Sequence, residues 1–177
     1  MFSFRLKNSL VVLAVLALTF VGGCGPFWVD PFITVKTSPL DWCEIHYYNM
    51  NRKPIRKIGV YLSGAGYAEV KKGTSDLVSN DFAKKYTDDT WDQIKSFRIP
   101  VDQNHLQDIF QNLVNYGLLD RDKWGKKSSK TEFKRFIAVK ANINNYTYSE
   151  QENIFEVDPD LAEQLLDVVR EFEVPSR

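Results

Sequence analysis

Two stretches of the chain place apolar residues at helical spacing. Asp102 precedes the first stretch as an N-cap residue, and Gly117 follows it, where glycine accepts the left-handed backbone of a C′ position. Leu118 would then pack back on Leu113, the contact that accompanies a Schellman ending. These signals predict a helix between Asp102 and Gly117, and its apolar face consists of Leu106, Ile109, Phe110, Leu113 and Val114.

The C-terminal part of the chain carries a similar signal. Asp158 can cap a helix whose first residue is Pro159, and Asp160 adds a negative charge near the positive end of the helix dipole. Val174 and Pro175 mark the end. A second amphipathic helix is therefore predicted, with a buried face formed by Leu161, Leu165, Val168, Val169 and Phe172.

Other segments have the composition or the alternation of strands. Residues 57–62 alternate apolar with polar or small side chains, and Ser-Gly-Ala-Gly at 63–66 supplies a turn before a return strand at 67–71. A second hairpin is predicted at 133–149, because Asn144-Asn145 tolerates positive φ in a tight turn. Further strands are predicted at 32–37, 42–48, 94–101 and 153–157, and Pro100 places the third of these at an edge or end.

These elements predict an α+β fold, in which an antiparallel sheet carries two or more amphipathic helices packed on one face. Residues 54–177 are expected to form this single domain. The preceding residues 24–53 contain many aromatics, which are costly to leave in water. We expect this aromatic-rich, membrane-proximal segment to pack on the domain, to lie at the bilayer interface or to meet a partner.

The first 23 residues have the three parts of a signal peptide. Arg5 and Lys7 form a basic region, and an apolar run from residue 10 to 21 follows, too short for a typical membrane span. The run ends in Val-Gly-Gly23-Cys24, which resembles the lipobox of bacterial lipoproteins. The resemblance implies cleavage between Gly23 and Cys24 and acylation of the Cys24 thiol. Ordinary secretory cleavage after Gly23 is the alternative.

Lipidation of Cys24 implies a location and a partner. Two or three acyl chains anchor a protein stably, so the membrane itself is a partner, on the periplasmic or cell-surface side. Gly25, rather than Asp, follows the cysteine, and by resemblance to known sorting rules this favours the outer membrane in a Gram-negative cell. If Cys24 is acylated, Cys43 is an unpaired thiol. If Cys24 is not acylated, a disulfide between Cys24 and Cys43 is the alternative.

Charge and candidate catalytic residues argue against two classes of function. The chain carries 23 basic and 23 acidic side chains, so no general affinity for nucleic acid is expected. Cys43 and His46 stand three apart in a predicted strand and therefore point to opposite faces. His105 has no possible ligand at i+4, and no set of three or four ligands converges elsewhere, so neither a metal nor another cofactor is expected. The sequence thus favours a protein that is not an enzyme.

Two features are candidate partner contacts. The turn with Ser63, Gly64 and Gly66 could let a partner's backbone approach closely, although a plain hairpin turn is the simpler interpretation. A basic stretch at 121–135 surrounds Trp124 and could rest on anionic headgroups or be a solvated loop.

The order of elements from residue 57 to 172 is similar to that of emfourin-type inhibitors of thermolysin-like metalloproteases. The residues that match are Ser63-Gly64 and the helix ending at 116–119, whereas residues 73–93 depart from the pattern as an insertion. The resemblance implies that residues 63–66 contact the enzyme. Bulky residues at Gly64 and Gly66 should then abolish inhibition while leaving the fold intact.

The expected function is therefore that of a lipid-anchored cell-envelope module that binds a protein or another envelope component. The first alternative is an inhibitor-like or immunity-like module acting through residues 63–66. The second is an envelope enzyme with scattered carboxylates, which a deep acid-lined pocket would favour.

Overall fold

The computed structural model describes residues 33–51, 53–75, 92–120, 134–150 and 153–173. Residues Pro31–Arg177 form one compact unit. Its centre is a six-stranded antiparallel sheet with the spatial order β4-β3-β2-β1-β5-β6. The strands are β1 (Trp42–Asn49), β2 (Ile55–Ser63), β3 (Tyr67–Ser75), β4 (Asp92–Pro100), β5 (Arg135–Ile143) and β6 (Tyr146–Glu150).

Three helices complete the described part: α1 (Gln103–Asn115), α2 (Ile154–Val157) and α3 (Pro159–Phe172). The mixed α+β class predicted from the sequence is therefore confirmed. Both hairpins are confirmed as well. Asn144 and Asn145 have φ of 52° and 65°, the positive values that the tight turn between β5 and β6 requires. β4 lies at an edge of the sheet, where a strand ending in Pro100 was expected.

Both long helices begin as their sequences predict, and α1 also ends as predicted, whereas Val174 and Pro175, the predicted end of α3, lie outside the described residues. The Asp102 carboxylate accepts hydrogen bonds from the backbone N–H of Asn104 and His105 at the start of α1. At its end the N–H of Leu118 donates to the carbonyl of Leu113, and the N–H of Gly117, with φ of 93°, donates to Val114. These two bonds define a Schellman motif.

Asp158 caps α3, and its side chain accepts a hydrogen bond from the N–H of Leu161. Pro159 stands in the first turn, as predicted. The apolar faces of both long helices are buried.

The folded unit begins earlier than the predicted boundary between residues 53 and 54. β1 lies in the middle of the sheet and pairs with β2 on one side and β5 on the other. Its residue Ile45 stands between Val60 and Val139, and all three side chains are fully buried. At least this part of the aromatic-rich segment is therefore central to the domain. The sequence did not predict this position, because pairing on two edges cannot be seen in a linear sequence.

Residues 33–37 of the strand predicted at 32–37 form no ladder in the structure. Their backbone bonds to side chains instead: the N–H of Val35 donates to Gln111 at 2.8 Å, and Gln111 donates to the carbonyl of Ile33 at 3.0 Å. In the same way, Asn144 accepts from the N–H of Lys36 and donates to the carbonyl of Thr34. The strand prediction is wrong because amide side chains satisfy this extended segment.

The predicted short strand at residues 153–157 is also wrong, since Ile154–Val157 is helix α2. β6 pairs with β5 only between Val139 and Ile143. Beyond β6, the side chain of Asn153 accepts from the N–H of Ile137 at 3.1 Å and donates to the carbonyl of Arg135 at 3.0 Å. One amide side chain therefore replaces a strand at this point of the sheet.

The two faces of the sheet differ in their surroundings. Arg56 pairs with Glu173, which follows α3, and Arg135 pairs with Glu163 of α3 at 3.1 Å. Both arginines align with Asn49 in the register, so they lie on the face that also carries Ile45, Val60 and Val139. We call this the α3 face. The opposite face carries Trp42, Glu44, His46 and Tyr48 of β1.

Candidate functional site

The opposite face carries a continuous row of aromatic rings at one end of the sheet. The rings of Trp42 and Tyr61 stack with centroids 6.1 Å apart and planes inclined by 21°. Tyr61 lies 6.4 Å from Tyr67 at 39°. The guanidinium of Arg98 lies 3.5 Å from the centroid of the Tyr67 ring, a close cation–π contact. These four residues form the aromatic strip.

Strand register creates the aromatic strip. Its members come one each from β1, β2, β3 and β4, which are consecutive neighbours in the sheet. Trp42 pairs with Ser63, and Tyr61 lies two residues from Ser63 on the same face. Diagonal neighbours of this kind are within reach of large rings. The three rings are partly buried, and Arg98 is exposed.

Charged side chains of both signs border the aromatic strip. Glu69 pairs with Arg98 in the register, and its carboxylate lies 3.9 Å from the Arg98 Nε. Glu44 lies opposite Tyr61 and forms a hydrogen bond of 2.6 Å with His46 Nε2. On the far side of β1, Lys140 pairs with Glu44. The site therefore offers carboxylates and cations side by side, and Lys71 on the same face of β3 adds a third cation.

Two pKa values reflect this environment. The hydrogen bond from His46 lowers the pKa of Glu44, and the positive charges of Lys140 and Lys71 act in the same direction, against the effect of burial. Glu44 is therefore ionised at neutral pH. Partial burial raises the pKa of Tyr61, and the neighbouring Tyr67 adds to the shift. The Tyr61 hydroxyl is therefore protonated at neutral pH, and it can donate as well as accept a hydrogen bond.

The other end of the opposite face is buried. Tyr48, Ile55, Phe136 and Ala138 form a small apolar cluster there, in which the rings of Tyr48 and Phe136 meet edge to face at 5.6 Å. The side chain of Lys57 is fully buried, and its ammonium lies 5.1 Å from the Tyr48 ring. This end is part of the core, so the aromatic strip is the accessible part of the face.

The predicted contact turn at residues 63–66 is fixed by packing. Ser63 and Gly64 are buried, and Ala65 is the exposed residue of the turn. The N–H of Gly64 donates to the carbonyl of Asp41 at 2.7 Å. A Cβ on Gly64 would overlap the carbonyl oxygen of Ser38, so a bulky residue cannot leave this fold intact, contrary to the expectation from the sequence.

Gly66 has a different reason to be glycine. Its φ is 94°, a left-handed value that other residues adopt at a cost. Its carbonyl accepts from the N–H of Val101, and Gln103 at the start of α1 donates to the carbonyl of Gly64 at 3.0 Å. The contacts with Ser38 and Asp41 therefore explain Gly64, and the turn between β2 and β3 explains Gly66. Neither glycine requires a partner protein.

Three other predicted site residues, Gly23, Cys24 and Trp124, lie outside the described residues. Cys43 and His46 point to opposite faces of β1, as their spacing predicted. Cys43 is a free cysteine and is fully buried on the α3 face. His105 of α1 pairs with Glu171 of α3 and is half exposed.

Cys43 should be inert in the folded protein. Burial raises the pKa of its thiol far above the ordinary value, and the charge of Glu44 adds to this shift. Alkylation requires the thiolate. At pH 8 we expect iodoacetamide to leave Cys43 unmodified, as judged by peptide mass, and to modify it fully in 6 M guanidinium. Rapid labelling of the folded protein would contradict this placement of the thiol.

Within the described ranges, no three His, Cys, Asp or Glu side chains are arranged to hold a metal ion. None of the helices in the same ranges is long and apolar enough to cross a membrane. No protein-family model matches the sequence, and no curated protein shows significant similarity to it.

The sequence reading missed the aromatic strip. Trp42, Tyr61 and Tyr67 were each assigned to predicted strands, but which rings stack depends on strand order and register. One signal was available: the same alternation that buries Leu62 places Tyr61 on the other face. It could identify one member of the strip but not its neighbours.

Proposed function

We propose that this protein is a lipid-anchored module of the cell envelope that binds another envelope component through the aromatic strip and is not an enzyme. The observation that carries the binding proposal is the row of Trp42, Tyr61 and Tyr67 on a sheet face. Aromatic rings offer large contact area at a low entropic cost, which is why tyrosine and tryptophan are enriched in binding surfaces.

The proposal includes the packing of both long helices on the α3 face. α1 and α3 contact each other, and His105 of α1 pairs with Glu171 of α3. Helices gathered on one face leave the aromatic strip on the other face open to a ligand.

The anchor is tested by the mass of the N-terminal peptide from the membrane fraction. We expect a peptide that begins with acylated Cys24, and a Cys24→Ala variant that is neither acylated nor cleaved at this position. A wild-type peptide that begins with unmodified Cys24, or one that keeps the leader, would disprove the anchor.

Binding is tested by a photoreactive amino acid at Tyr67 in intact cells, with the same group at Tyr116 as control. Tyr116 is exposed and lies at the end of α1, away from the aromatic strip. We expect a specific adduct, protein or glycan, from position 67 only, and its loss when Trp42→Ala is added. An adduct that persists in the Trp42→Ala background would show that the aromatic strip is not the binding surface.

A further inference from the structure

We infer that the ligand of the aromatic strip is an uncharged glycan strand of the cell envelope. This inference rests on the proposed function and specifies the chemical class of its ligand. Three properties of the strip support it: its length, the chemistry of its surface and its charge.

The length of the strip suits an extended chain. Its members occupy four consecutive strands, from Trp42 on β1 to Arg98 on β4. Neighbouring strands are about 4.8 Å apart, so the strip extends for about 14 Å across the sheet. A row of this length matches a few sugar rings joined end to end, whereas a single small molecule would cover only part of it.

The surface chemistry suits sugar rings. One face of a pyranose ring presents C–H groups, and an aromatic ring presents a negative π face that attracts them. Trp42 and Tyr61 stack with an interplanar angle of 21°, and both rings keep part of their surface exposed. Glu44 and Glu69 border the strip with carboxylates that accept hydrogen bonds from hydroxyl groups.

The charge of the site separates glycans from polyanions. Five paired residues cross the sheet beside Trp42 in the order Lys140, Glu44, Tyr61, Glu69 and Arg98. Each carboxylate therefore has a cation on one side and Tyr61 on the other. Nucleic acids and anionic headgroups are bound by surfaces with a positive excess. Lys71 also acts on Glu44, so three cations stand against two carboxylates, a net excess of one, and the two carboxylates repel phosphate groups. A neutral, hydroxyl-rich chain has no such penalty.

The experiment uses the purified full-length protein in detergent and a hexamer of N-acetylglucosamine as the probe, with binding measured by calorimetry. We expect saturable binding that Trp42→Ala weakens by about tenfold and Trp42→Phe largely preserves, since phenylalanine keeps a stacking face. The matched control is Phe97→Ala, because Phe97 is an aromatic residue 40% exposed on the α3 face of β4. This variant should bind like the wild type.

Binding that Trp42→Ala leaves unchanged, while thermal unfolding shows an intact fold, would overturn the inference. So would the absence of any oligosaccharide binding. If no oligosaccharide binds but the photoreactive group at position 67 still yields an adduct with a protein that depends on Trp42, the ligand is a protein. In that case the glycan assignment fails and the proposed function stands. Loss of both signals overturns both.

Discussion

Replacing Gly64 with valine is expected to lower the free energy of unfolding by about 3 kcal/mol, at the upper end for overpacking. A Cβ at this position would overlap the carbonyl oxygen of Ser38 and lie 3.0 Å from that of Asp41. Both neighbours are backbone atoms, and the N–H of Gly64 bonds to the second of them. Relief of the overlap must move the chain between residues 38 and 41 and break this bond, which urea titration would detect.

The adjacent residue provides the control. Ala65 is exposed in the same turn, so Ala65→Val should change the free energy of unfolding by no more than about 0.5 kcal/mol. Equal stability of the Gly64→Val and wild-type proteins would mean that the segment before β1 does not pack on the turn. The same result would favour the other interpretation of residues 63–66, a loop that contacts a partner.

Replacing Asn153 with alanine is expected to cost about 3 kcal/mol, because two backbone groups lose their partners and each such loss costs about 1 to 3 kcal/mol. The Asn153 side chain is almost fully buried and bonds to the N–H of Ile137 and the carbonyl of Arg135. Neither group can pair with β6, which contacts β5 only from Val139 onward. The decrease would be measured by urea titration, and amide exchange at Ile137 should accelerate.

Asn104→Ala is the matched change, since Asn104 is an exposed residue in the first turn of α1. It should not destabilise the protein, because alanine is the better helix former. If Asn153→Ala proves as mild as Asn104→Ala, the two backbone groups must find other partners, and the amide does not replace a strand.

Local chemistry was sufficient to predict many elements from the sequence. The ends of α1 depend on Asp102 and Gly117, which act on backbone groups only a few residues away. The turn between β5 and β6 depends on the positive φ of Asn144 and Asn145. Such features require no knowledge of distant parts of the chain. The α+β class follows from the same local periodicities.

Other predictions failed because the deciding partners are distant in the sequence. Val35 bonds to Gln111, 76 residues away, so residues 33–37 have the composition of a strand without strand partners. Asn153 bonds to Ile137 and begins a short helix where apolar composition suggested a strand.

The candidate site also combines features that depend on neighbouring residues with features that depend on distant ones. The sequence by itself determined the two capped helices and the opposite orientations of Cys43 and His46, because each depends on neighbouring residues, and the lipobox at Cys24 stays a prediction. Only the tertiary structure decided that β1 is central, that Gly64 is required by Ser38 and that the rings of the aromatic strip stack. These depend on strand order and register, which come from packing the whole chain into one core.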